Sequence, residues 1–344
     1  MSPQINRMVY GFFPHSWRQH VRAGGYRPLV FLNHGIWLGI FFCCALLGTI
    51  ALLKHQSKRV LEFAAAAVLL CITIVLMRSL GALLIAIVLA PAVLLLNSRL
   101  QLFVAAGFSS AVLVFPMLRN LGWIPLDWFV NIAERISLTR ALSLKFRLSS
   151  EDLLLEKAQD RPLLGWGGWG RSLVFDEAGR SQAVTDGYWV ILFGEGGWVK
   201  YVSIFGVMTL PVILMAFMLK RSKFSLLTTG LALALTANLI DLIPNATFTP
   251  ITLLMAGALA GHFELLSARS PSVPEDAVTE EASQARRSVQ YQREQKPEEP
   301  DQARLSRSLP KRADEKPVQR QVNNKQLRRG ARNPYRRTFG GDDA

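Results

Sequence analysis

Seven long apolar runs govern what this chain can become. They cover residues 29–53, 60–77, 80–96, 100–118, 189–219, 224–243 and 251–266. Each approaches or exceeds the roughly 20 residues that an α-helix needs to cross a bilayer. Half of the 344 residues are hydrophobic (50%), gathered in blocks that a water-soluble core would not tolerate. The expectation is an all-α, polytopic membrane bundle of about seven transmembrane helices, with one large external loop and a disordered basic C-terminal tail.

Orientation follows from the short connections. Lys54, Lys58 and Arg59 separate the first two runs, Arg99 separates the third and fourth, and Lys220, Arg221 and Lys223 separate the fifth and sixth. Lysine and arginine in short connections stay in the cytoplasm. Parity then places residues 1–28 and 119–188 outside and the tail inside. The 119–188 segment balances nine Lys/Arg against nine Asp/Glu, and long loops translocate with little regard to charge. Residues 1–28 carry Arg7, Arg18, Arg22 and Arg27 with no acidic residue and no signal-peptide core. An external segment of that charge leads to the expectation of further helices before it.

The expected divisions are 1–28 (external), 29–118 (four transmembrane helices), 119–188 (periplasmic loop), 189–267 (three transmembrane helices) and 268–344 (cytoplasmic tail). The tail is rich in Arg, Glu, Gln, Pro and Ser, and has too little apolar surface to offset the entropy of ordering. Its seventeen Lys/Arg against twelve Asp/Glu, most basic at 328–337, suit anionic inner-leaflet lipids. Nucleic acid is not expected as a partner, because no aromatic stacking platform accompanies the charge. Cys43, Cys44 and Cys71 fall inside apolar runs, and the five histidines lack ligand spacing, so neither a metal site nor another cofactor is expected. Asn245-Ala-Thr247 fits a glycosylation sequon but lies in a short connection close to the bilayer.

The chemistry-bearing residues concentrate in and around the 119–188 segment. Arg78, at the external end of the second run, reads either as a snorkelling interface anchor or as a guanidinium fork for a lipid diphosphate. Asp241 and Glu195 lie within or beside apolar runs and need partners, for Asp241 an arginine. Ser149 followed by Asp152 resembles a capping box, which predicts a short helix over 151–159 with Arg147 just ahead of its positive end, an arrangement suited to an anion. Gly165-Trp-Gly-Gly-Trp-Gly170 provides backbone freedom, and Trp166 and Trp169 offer flat faces that suit either sugar rings or the headgroup region.

Together these residues resemble a known family. Arg78-Ser-Leu-Gly81, Arg147, Arg161-Pro-Leu-Leu-Gly-Trp-Gly167, Thr185-Asp-Gly-Tyr-Trp189 and Glu195-Gly-Gly-Trp198, in that order over about 29–266, are similar to the O-antigen ligase and O-antigen polymerase superfamily of bacterial envelope proteins. The resemblance implies a multi-pass inner-membrane protein that transfers a glycan from undecaprenyl diphosphate to an acceptor glycan or lipid in the periplasm, without a metal ion, alongside other polysaccharide-assembly proteins. It implies inversion at the anomeric carbon, with Arg78 and Arg147 holding the leaving diphosphate. The family's loop histidine is replaced here by Asp186, which the resemblance makes the base. Arg161, Gly165, Trp166, Gly167, Trp169, Arg171, Asp176 and Glu195 are the expected substrate contacts. Two other classes stay open: a non-catalytic component of a polysaccharide assembly or export system, and a lipid-linked glycan transporter.

Overall fold

Each of the seven apolar runs forms a helix. The computed structural model describes residues 2–12, 21–22, 25–30, 32, 34–56, 58–136, 138–220 and 223–268, so the tail expected to be disordered lies outside the described residues. A short helix α1 (Ser2–Tyr10) and a two-residue antiparallel ladder, Val21–Arg22 (β1) with Gly25–Tyr26 (β2), precede the bundle. The bundle comprises α2 (Gly35–His55), α3 (Val60–Leu76), α4 (Leu80–Leu95), α5 (Ser98–Asn120), α8 (Tyr188–Phe217), α9 (Leu226–Asp241) and α10 (Pro250–Ala268). Between α5 and α8 lie α6 (Leu126–Ile136), α7 (Leu138–Gln159) and an irregular segment, 160–187.

Four of these helices, α2, α5, α8 and α10, are long and apolar enough to cross a membrane. The three shorter apolar helices, α3, α4 and α9, have 16 or 17 residues, about 25 Å at 1.5 Å per residue. Leu61, Val68, Leu69, Ile72 and Leu76 of α3 face outward. An exposed row of aliphatic side chains on a helix that is apolar all round suits lipid rather than water.

Helix α9 is the axis of the bundle, packing on α2, α4, α5 and α10. Its middle, Ala232 to Leu239, is buried on every side. Small residues let the neighbours approach: a Cβ on Gly230 would lie 2.4 Å from that of Ala51. Polar side chains serve the helix ends and breaks. Pro116 of α5 has no N–H, which leaves the Val112 carbonyl without its i+4 donor, and the buried Tyr201 hydroxyl donates to that oxygen at 2.6 Å. Gln101 Nε2 donates to Val93 O and Leu96 O, and Lys54 Nζ to Leu96 O, closing the C-terminal end of α4.

Two local expectations are corrected. The 151–159 helix does not begin at Ser149: α7 runs unbroken from Leu138 to Gln159, and the Ser149 hydroxyl donates to Phe146 O within it. The stretch before Ser149 is rich in Leu, Ala, Lys and Arg, strong helix formers that outweigh an isolated capping signature. Arg147 therefore projects from the interior of α7 and not from ahead of its N-terminus. Among the described residues Asp241 has no arginine partner; Asn245 Nδ2 (2.9 Å) and Thr247 Oγ1 (2.7 Å) donate to its two oxygens. That bond also holds the sequon amide of Asn245 inside the protein.

Candidate functional site

The end of the bundle formed by the C-terminus of α5, the second half of α7 and the start of α8 collects charged groups against apolar packing. Helix α7 lies on α8 through Leu154, Leu155 and Ala158, all buried. Glu151 heads the same stripe, at the i, i+3, i+4, i+7 spacing that puts side chains on one helix face. It is only 8% exposed. Arg119, in the last turn of α5, reaches over it: Nη2 meets Asp152 Oδ1 at 2.5 Å, while Nε is buried with no hydrogen-bond acceptor. Trp189, fully buried at the start of α8 and edge-on to Phe115, also has no acceptor for Nε1. Burial pushes the Glu151 carboxyl up to about 7, Arg119 and the Trp189 N–H oppose that rise, and Asp152 and Asp186 add to it.

Arg147 and Asp186, expected as clamp and base, are brought together, and they pair with each other. Arg147 Nε lies 3.2 Å from Asp186 Oδ2, with both side chains about one-third exposed. One edge of the guanidinium is thus engaged by the carboxylate. Arg78 stands apart from this pair. It occupies the residue after the α3 cap with φ of 55°, a left-handed conformation unusual for a side chain of its size. Its guanidinium lies so close to Gly25 that a Cβ there would be 2.5 Å from Nη1, and its carbonyl accepts from Arg27 Nη2 at 3.3 Å. Among the described residues no hydrogen bond or ion pair joins it to Asp186 or Glu151. It shares their end of the bundle: Gly81, three residues on, abuts Asp241 Oδ1, and the α9–α10 connection receives Tyr188 N at Leu242 O (3.0 Å).

The glycine and tryptophan run has a structural task. Helix α8 breaks at Gly197, whose φ of 58° and ψ of −156° only glycine adopts readily. Residues 162–167 are stitched into the break by four backbone bonds: Trp166 N to Gly194 O (2.9 Å), Gly167 N to Glu195 O (2.7 Å), Trp198 N to Pro162 O (2.8 Å) and Val199 N to Leu163 O (3.2 Å). A Cβ on Gly165 would lie 2.5 Å from the Glu195 carbonyl carbon, so these glycines permit backbone-to-backbone contact. Trp166 is spoken for: Nε1 donates to Lys157 O at 2.8 Å, and Arg161 and Lys157 lie over the ring at 4.4 and 5.2 Å. Trp169 remains almost wholly exposed.

The other expected contacts are local or line a cavity. Asp176 holds a tight turn, accepting from Arg180 N (2.7 Å) and Arg180 Nε (3.0 Å). Arg171 Nε donates to Gly168 O. Glu195 pairs with Lys200 Nζ at 2.5 Å and lines a cavity of about 190 Å³ with Ser172, Thr185, Gly194, Leu154 and Val190. Among the described residues no three His, Cys, Asp or Glu side chains stand close enough to hold a metal ion.

The sequence expectation omits Arg119, Glu151 and the Trp189 indole. The available signal was an acid at the head of the Leu154, Leu155, Ala158 stripe, where an apolar residue would be usual. No family model matches this chain, and neither a curated protein nor a solved structure matches it.

Proposed function

We propose that this protein is a multi-pass inner-membrane glycosyltransferase of the O-antigen ligase or polymerase type, which transfers a glycan from undecaprenyl diphosphate at its 119–188 face, outside the cytoplasm. In this reading all seven apolar helices span the bilayer, and the acceptor is a glycan or lipid. The observation that carries it is the group of Arg147, Asp186, Arg119 and Glu151 on one end of an apolar bundle, where a lipid-borne donor can reach it. Arg147 offers the edge of its guanidinium not engaged by Asp186 to a diphosphate oxygen, and Trp169 offers an exposed face to a sugar. Binding that strengthens as charge develops on the leaving diphosphate lowers the barrier.

A lipid-linked glycan transporter is the second reading, favoured by the broken α8, since discontinuous helices serve transport sites. Here four backbone groups of the break are already bonded to residues 162–167, which argues against a ligand site there.

The test is release of undecaprenyl diphosphate from the lipid-linked glycan pool in membranes holding equal amounts of each variant. Arg147→Ala should slow release by roughly a hundredfold or more, the loss of about 2–4 kcal/mol of transition-state stabilisation. Arg147→Lys should fail nearly as badly, because an ammonium restores the ion pair to Asp186 but lacks the planar fork. Arg180→Ala, in the Asp176 turn, should change little. Rescue by lysine would reduce Arg147 to a structural partner of Asp186 and remove the clamp.

A further inference from the structure

The chain turns sharply where α5 ends. Gly122, with φ of 67°, takes the left-handed position that terminates a helix, and Trp123 N donates back to Leu118 O at 3.1 Å. Five residues, 121–125, separate Asn120 from the start of α6 at Leu126, so α6 begins within about 20 Å of the α5 terminus even if they were fully extended. None of the five is charged.

Helix α6 divides lengthwise into three arcs at 100° per residue. Leu126, Val130 and Ala133 are half-buried, and the helix packs on α7. Asp127, Asn131, Glu134 and Arg135 form a polar arc that is exposed. Trp128, Phe129 and Ile132 form the third, and they are exposed as well, with Trp128 edge-on to Phe129 at 5.0 Å between ring centroids. Packing on α7 therefore uses only part of the apolar surface of α6. The first half of α7 carries a second exposed row, Leu138, Leu142 and Phe146, at four-residue spacing, with Lys145 exposed beside it. So much apolar surface outside the bundle marks an interaction face.

Continuity identifies what covers it. Phe103, Val114, Met117 and Leu121 form an exposed apolar row along one face of α5. In the proposed reading that row meets lipid, and it runs on through the exposed Trp123 to α6. We infer that α6 and the first half of α7 form an interfacial hairpin, its apolar face seated in the phospholipid headgroup and upper acyl region of the leaflet into which α5 emerges. The inference rests on α3 and α5 spanning the bilayer, and not on glycan transfer. The residue types agree with it. Tryptophan favours the headgroup boundary, and a helix with an aromatic apolar face and a charged opposite face lies in that plane. Lys145 can lay its stem along the apolar row and place its ammonium among lipid phosphates. The eleven residues of α6 extend only about 16 Å, too short to cross. A hairpin held there keeps Arg147, the residue after Phe146, near headgroup depth, where the phosphates of a lipid-borne donor lie.

The experiment places an environment-sensitive fluorophore on single cysteines in the full chain, in vesicles of phosphatidylethanolamine and phosphatidylglycerol. Ile132→Cys, Leu142→Cys and Glu134→Cys are made with Cys43, Cys44 and Cys71 replaced by Ala, and native Cys71, exposed on α3, is kept alone as the reference for a lipid-facing position. Quenching is read with iodide on both sides of the vesicle and with lipids carrying a nitroxide near the headgroup or near the acyl end. Positions 132 and 142 should show blue-shifted emission relative to 134, loss of iodide quenching, and stronger quenching by the shallow nitroxide than by the deep one. Position 134 should be quenched by iodide, and Cys71 by lipid nitroxide. Iodide quenching at 132 and 142 equal to that at 134, with Cys71 still quenched by lipid, overturns the interfacial hairpin and leaves the membrane bundle standing. Shielding of 132 and 142 from iodide and nitroxide alike means that protein covers the face, and it also overturns the inference. A Cys71 fluorophore that no lipid nitroxide reaches overturns the hairpin and the spanning bundle together.

Discussion

At the scale of the residue, Glu151 carries a cost to stability that depends on pH. The sign of its linkage follows from a folded-state value raised from 4.5 to about 7. The stabilising contribution of the bound proton is complete below the unfolded value and lost as pH rises through the folded one. The total is about 3 kcal/mol at 1.36 kcal/mol per unit, with little screening at so buried a position. Thermal unfolding of detergent-solubilised protein should therefore show the wild type losing stability between pH 5 and 8 relative to Glu151→Gln, with the gap widening towards that magnitude. Parallel pH curves for the two proteins would mean that Glu151 is solvated after all. The sequence made this residue hard to see. An Asp or Glu in a loop reads as a solvated charge, and only its register with Leu154, Leu155 and Ala158 distinguishes it. Arg147 and Asp186 were legible as chemistry-bearing residues, but their mutual pairing across 39 positions was not, since local pattern carries no information about which distant charges meet.

At the scale of the element, the break in α8 depends on its glycines. Gly197→Ala would place a Cβ 2.3 Å from Pro162 O in a backbone conformation that L-residues avoid. The expected cost is about 3 kcal/mol or more, the sum of a strained φ/ψ and a contact that cannot relax without losing the stitch. Limited trypsinolysis should then cut faster after Arg171, which is exposed. Gly206→Ala, in the same helix with nothing within 4 Å of the new Cβ, should leave cleavage unchanged. Equal cleavage in both variants would mean that residues 162–167 are not seated in the break. The apolar helices were readable in the sequence because their patterns are long and uninterrupted. The break was not, for Gly196-Gly197 inside an apolar run signals flexibility without saying what fills it. The capping-box signature at Ser149 misled in the other direction, because a four-residue signal competed with a 22-residue helix.

At the scale of the molecule, one end gathers Arg78, Arg119, Arg147, Glu151, Asp186 and the α8 break, while the other holds Lys54 and Gln101 on the α4 carbonyls. In the proposed reading lipid surrounds the apolar outer faces of the middle, and the distribution of lysine and arginine gives the sides. A periplasmic glycan donor reaches the site only if the 160–187 end lies outside the cytoplasm, so sidedness is the central claim. It is tested by introducing single cysteines at two exposed positions, Glu177→Cys in the Asp176 turn and Arg99→Cys at the start of α5, and treating intact spheroplasts with an impermeant thiol reagent. Native Cys71, on the outer face of α3, sets the background. The Glu177→Cys protein should label in intact spheroplasts and the Arg99→Cys protein only after permeabilisation. Labelling of Arg99→Cys alone in intact spheroplasts would put the whole charged end in the cytoplasm and contradict the account.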